Sequence, residues 1–127
     1  MKFEPKNPPR EFEVGYDVKG IIRDCGSMTL AADEQITFLT DAGSEYDLTR
    51  KDWGFYATPS LNGRLATFNL RAVLVKNRVD RYFVMLVERG KEDAFTRYVQ
   101  QEPLKIITWL DTLDALQALE RALEAQA

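Results

Sequence analysis

Residues 50–65 (Arg50-Lys51-Asp52-Trp53-Gly54-Phe55-Tyr56-Ala57-Thr58-Pro59-Ser60-Leu61-Asn62-Gly63-Arg64-Leu65) gather the most chemically capable side chains of the sequence. Trp53 and Tyr56 offer flat faces for stacking, Thr58, Ser60 and Asn62 offer donors and acceptors, and Arg64 offers a two-pronged fork for a carboxylate or phosphate. Together they suit a polar, ring-shaped or anionic ligand such as a sugar, a sugar nucleotide or an acidic metabolite. The same residues suit an acidic or aromatic patch on a partner protein, because Trp, Tyr and Arg dominate interface hot spots. A plainer reading stands beside these. Trp53 and Phe55 then face inward from a strand continuing past Tyr46, Arg64 is neutralised by Asp47 or Asp52, and Asn62-Gly63 is a turn needing positive φ.

Catalytic chemistry is narrowed by an absence: the chain has no histidine. Ser-His-Asp and Cys-His nucleophile pairs cannot form within it, and the zinc sites that depend on imidazole are excluded. No acidic run has the spacing of an EF-hand loop, and neither phosphate-binding glycine signature occurs, so no cofactor or metal is implied. A metal-independent enzyme working on a sugar-like substrate would need Tyr, Lys or a carboxylate for proton transfer, with Asp52 and Tyr56 the residues to inspect. Tyr82 and Tyr98 fit strand and helix core positions. The lone Cys25 reads as a small, half-buried residue beside a bulge, with only Arg23 near in sequence to favour a thiolate. Glu88, Lys91, Glu92 and Asp93 read as a solvated helix start.

Composition sets the frame for these residues. The chain has 127 residues, of which 45% are hydrophobic and 29% charged, enough for one domain. Its formal charge of −3 argues against a nucleic-acid partner. The longest apolar run, Phe83 to Val87, falls far short of the roughly 20 residues a membrane helix needs. One cysteine cannot staple a secreted scaffold, and the amino-terminal stretch lacks the apolar core of a signal peptide, so a soluble cytoplasmic protein is expected.

Residues 1–10, with Pro5, Pro8 and Pro9, read as an extended arm, and residues 11–127 as a single α+β domain. Ile36 and Phe38, then Tyr46 and Leu48, alternate with polar residues on either side of Asp41-Ala42-Gly43-Ser44, which predicts an antiparallel hairpin with one wet face. A second hairpin is predicted from residues 67–76 and 81–88. Its cores, Ala72–Val75 and Phe83–Val87, are apolar on both faces, as covered central strands are. Helical spacing of Phe95, Tyr98 and Val99 predicts a helix over 91–101 that Pro103 stops, and a short strand is expected over 104–109. A last helix is expected from an Asp111 N-cap, with Leu113, Leu116, Leu119 and Leu123 as its core face.

The expected fold is therefore mainly antiparallel β, a sandwich or open barrel of about six or seven strands, with two helices in the C-terminal third. The expected function is a small, non-catalytic binding or accessory protein that presents Trp53, Tyr56, Thr58, Ser60, Asn62 and Arg64 to a polar or anionic, sugar-like ligand or to a partner protein. The metal-independent enzyme is one alternative. A structural homodimer without a small ligand, joined through an edge strand or the last helix, is the other.

Overall fold

The alternation at Ile36 and Phe38 and at Tyr46 and Leu48 becomes, in the computed structural model of residues 1–127, two paired strands, β3 (Gln35–Leu39) and β4 (Glu45–Lys51). Phe38 lies opposite Tyr46 and Ile36 opposite Leu48, so the apolar residues share one face of the sheet. Strand β5 (Gly54–Ala57) adds to the far edge of β4 and completes a three-stranded meander.

A second three-stranded sheet follows, with β6 (Leu70–Lys76) between β7 (Tyr82–Glu88) and β8 (Lys105–Trp109), all antiparallel. Between the sheets lies a one-turn helix, α1 (Arg64–Thr67). Helix α2 (Glu92–Gln101) joins β7 to β8, and α3 (Leu113–Glu124) closes the chain. The architecture is α+β and mainly antiparallel, with the two longer helices in the C-terminal third as expected. Strand β5 falls inside the 50–65 segment, and α1 begins at its end.

Because β6 has a neighbour on each side, its residues serve two cores. Leu70 and Ala72 pack with Leu65 of α1, bordered by Tyr46, Leu86 and Leu110. On the opposite face, Val73 and Val75 pack with Val87 beneath Met85, Phe95, Leu104 and Trp109. Phe95 of α2 meets Trp109 edge to face, with ring centroids 6.0 Å apart, which fixes α2 on that side. The expectation of two covered central strands therefore holds for β6 alone. Strand β7 is an edge, and Phe83 and Val84 are 46% and 63% exposed.

The amino-terminal residues do more than extend. Lys2–Val14 form one long strand, β1, paired with β2 (Gly20–Thr29) in a separate two-stranded ribbon, so position 10 falls within a strand. The register slips between Pro5 and Arg10, where Pro8 and Pro9 have no N–H to give the ladder. Cys25, expected half-buried, is exposed on β2, with its thiol donating to the Arg23 carbonyl at 3.6 Å.

Two expectations for the last helix are corrected. Its N-cap is Thr112, whose Oγ1 accepts from Ala115 N at 3.1 Å. Asp111 is instead drawn to Arg71, which donates to both its oxygens at 2.8 and 3.3 Å. The leucine stripe is not a core face: no residue of α3 is buried, and Leu113, Leu119 and Leu123 are exposed.

Candidate functional site

The segment expected to be a loop is largely a second hairpin. Strand β4 runs to Lys51, only Asp52 and Trp53 form the turn, and β5 begins at Gly54. A positive φ of 145° at Gly54 suits a residue without Cβ at this tight reversal. At the start of the turn, Lys51 pairs with Asp33 at 2.5 Å, and this carboxylate raises the ammonium pKa above its usual value. The hairpin is thereby tied to the turn that precedes β3.

Its aromatic residues face solvent. Trp53 is 69%, Phe55 60% and Tyr56 48% exposed, so the inward-facing alternative for Trp53 and Phe55 does not hold. Phe55 lies opposite Arg50 and Tyr56 opposite Thr49, on successive positions of β5, so the two rings leave opposite faces of the strand. The three aromatics surround the tip of the hairpin; they do not form one flat platform.

The polar residues after β5 fold back over β4. Asp47 is buried, and its Oδ1 accepts from Thr37 Oγ1 at 2.6 Å. Its main-chain carbonyl accepts from Thr58 N at 3.2 Å and from Thr58 Oγ1 at 3.3 Å. Ser60 Oγ accepts from Arg64 N at 3.1 Å and starts α1. Gly63 has φ −138°, not the positive φ expected of it; its requirement is space, because a Cβ there would come within 2.5 Å of Ser60 Oγ. Thr58 and Ser60 thus hold the segment together, while Asn62 is exposed and makes no hydrogen bond through its side chain.

Arg64 is arranged differently. Its guanidinium carbon sits 4.9 Å from the ring centre of Phe68, one turn along the chain, in cation–π geometry. One terminal nitrogen lies 3.8 Å from Asp47 Oδ2, close enough for attraction and too far for a hydrogen bond. The side chain is 59% exposed. A ring below and a buried carboxylate beside it hold the fork in place, and its donors face outward. Asp47 and Phe68 complete this arrangement. Of the two carboxylates the sequence offered to Arg64, the structure places Asp47 beside it, whereas Phe68 carried no signal of the role.

The concave surfaces lie elsewhere. A cleft of about 490 Å³ opens between the turn of the β1–β2 ribbon and the second sheet, lined by Tyr16, Phe83, Met85 and Tyr98 with Glu13 and Glu102 at its edges. A smaller one of about 200 Å³ lies between Phe38 and Tyr46 of the meander and Leu70 and Leu86 of the second sheet. None of Trp53, Tyr56, Thr58, Ser60, Asn62 and Arg64 lines either. At the rim of the smaller cleft, Glu88 accepts from Ser44 Oγ at 2.8 Å and Thr40 Oγ1 at 3.1 Å. These bonds, the Ser44 one first, keep its carboxyl below the usual range.

Elsewhere, Tyr46 is pushed above its usual pKa by burial alone, which favours the neutral phenol. No group of three or more Cys, Asp or Glu side chains is placed to hold a metal ion. No helix is long and apolar enough to cross a membrane. No family model, curated protein or solved structure matches the chain.

Proposed function

We propose that this chain is a non-catalytic binding protein that engages a partner protein through the β4–β5 hairpin and Arg64. The carrying observation is the Arg64 fork: it is stacked on Phe68, steadied by Asp47, 59% exposed, and donates no hydrogen bond within the chain. An arginine fixed in this way loses little freedom on meeting a carboxylate, and a bidentate pair is its best match. Trp53 and Tyr56, exposed on the β4–β5 hairpin, supply apolar area with few rotatable bonds.

A protein surface is favoured over a small molecule by shape. Small ligands are held in concavities that cover most of their surface, and no cavity involves residues 50–65. The partner would bring an acidic side chain to Arg64 and an apolar or aromatic contact to Trp53.

The reading is tested by capture from a cell extract with the wild-type chain, Trp53→Ala and Arg64→Ala. Trp53 is exposed, so Trp53→Ala should keep its stability to within about 0.5 kcal/mol, whereas Arg64→Ala also gives up the Phe68 stack and the charge beside buried Asp47, a loss of about 1 kcal/mol, so both variants are checked for folding first. A protein retained by the wild type and lost from both variants supports the proposal, and equal retention by all three overturns it. A thermal-shift screen of sugars, sugar nucleotides, nucleotides and organic acids runs beside it. A compound that raises the wild-type midpoint but not that of Arg64→Ala replaces the partner protein by a small anion.

A further inference from the structure

A chain of 14.6 kDa folded as a compact monomer exposes about 6,900 Å² by the usual scaling of surface with mass. This one exposes 9044 Å², and nine of its 127 residues are buried. The excess is roughly 2,100 Å², the share one subunit contributes to a permanent dimer interface, where the two subunits together bury about 2,000–5,000 Å².

The excess has two main sources. One is the β1–β2 ribbon. Every residue of β1 is exposed, and on β2 only Asp24 and Gly26 are half-buried. Phe3 faces Met28 and Phe12 faces Ile22 across the ladder. Met28 and Ile22 occupy alternate positions of β2, so Phe3, Met28, Phe12 and Ile22 share one face as two apolar pairs, each residue between 39% and 53% exposed, on either side of Asp24, which Lys6 and Arg10 neutralise. The ribbon is held at its two ends, by the terminal ammonium against Glu34 at 3.1 Å and by Arg78, which lies 3.4 Å from Asp17 and 4.3 Å from the ring centre of Tyr16. An isolated two-stranded ribbon is marginal in water.

The other source is α3. It has a leucine stripe along one side, with Leu119 and Leu123 at 45% and 59% exposure, and no buried residue. Twelve residues are at or below the length at which an unsupported helix holds together in water.

We propose that a second copy of this chain covers both surfaces, forming an obligate dimer in which the ribbon's apolar face and the α3 stripe are buried. Two elements that are marginal alone are both fully formed here, and each copy brings both. A twofold axis then lets one interface, repeated by symmetry, cover the two surfaces on each copy. The area left bare matches what such an interface removes. A small net charge of −3 per copy opposes this association only weakly. The proposal does not depend on the partner proposed for Arg64, which lies on a different part of the chain.

The test is the mass of the full-length chain in solution, by light scattering after size exclusion, for wild type, Ile22→Asp, Leu119→Asp and the control Glu11→Lys on the ribbon's charged face. The dimer mass is expected for wild type and the control. Ile22→Asp and Leu119→Asp should raise the dissociation constant at least about a hundredfold. Because an Asp variant can also fail by folding poorly, the wild-type melting midpoint is followed over about a hundredfold range of concentration, where a dimer's midpoint rises and a monomer's does not. A monomer with a concentration-independent midpoint overturns the proposal, even if it is captured by another protein. A dimer that both Asp variants leave intact overturns it too, since the interface then lies elsewhere.

Discussion

Arg71 lies face-on to Trp109, its guanidinium carbon 3.9 Å from the ring centre, while the same guanidinium grips both oxygens of Asp111. Arg71 on β6 thereby grips two residues at the end of β8, about forty positions away, and fixes where β8 ends against β6. Arg89 adds a second positive charge 3.6 Å from Asp111, whose side chain is 2% exposed. A carboxylate so enclosed depends on its partners, because an unpaired charge there is far more costly than an exposed one. Its bond to Asp111 also raises the Arg71 pKa above its usual value, so the guanidinium stays charged.

Removing one member should be costly. Arg71→Met leaves Asp111 with only the longer Arg89 contact, and we expect a loss of about 3 kcal/mol in urea denaturation. Replacing both partners, Arg71→Met with Asp111→Leu, should recover part of that loss, and a double variant weaker than the single would show that the pair is not what holds β8.

Leu65 tests the first core. It is fully buried between the meander and β6, yet belongs to a helix of a single turn. Leu65→Ala is expected to lower stability by about 3 kcal/mol through lost burial and the cavity left behind. A loss under about 1 kcal/mol, measured by the same denaturation, would mean that α1 is dispensable to the core.

Glu88 gives a pH dependence. Its carboxyl, held below 4.5 chiefly by Ser44, favours the folded state when ionised. That contribution is complete above the unfolded value near 4.5 and is lost as pH falls through the lower folded value. Glu34, Glu92 and Asp24 are shifted the same way by their own hydrogen bonds, so acid should weaken the wild type cooperatively. Glu88→Gln is expected to be less stable than wild type at neutral pH and to close part of the gap below pH 4.5. Parallel stability curves for the two proteins would remove Glu88 from this account.

The two tryptophans should be distinguishable. Trp53 is 69% exposed, whereas Trp109 lies beneath Arg71 and against Phe95. Iodide should quench most of the emission of Trp109→Phe and little of the emission of Trp53→Phe. Equal quenching in the two variants would place Trp53 in a protected setting and count against a free recognition tip.

Much of the body was legible because local patterns and tertiary packing agree there. Ile36, Phe38, Tyr46 and Leu48 alternate and are paired as the alternation requires. The misreadings share a cause, which is competition among partners that a linear pattern does not rank. Asp111 and Thr112 are both good N-caps, and the choice between them is made by Arg71, forty residues away. The three prolines of the first ten residues hid β1, because strand pairing there tolerates them through a slip in register. For the candidate site, Arg64, Trp53 and Tyr56 were identifiable from residue type. Their lack of a shared pocket follows from a two-residue turn that places neighbouring rings on opposite faces, and type alone does not carry that.

Each end attachment of the β1–β2 ribbon includes an exposed ion pair, and mobile ions screen such pairs, the Debye length being about 8 Å at physiological salt. The backbone ladder between β1 and β2 is indifferent to salt by comparison. Raising ionic strength should therefore loosen these end attachments and shift the task of holding the ribbon onto its apolar contacts with the proposed second copy, which salt does not weaken.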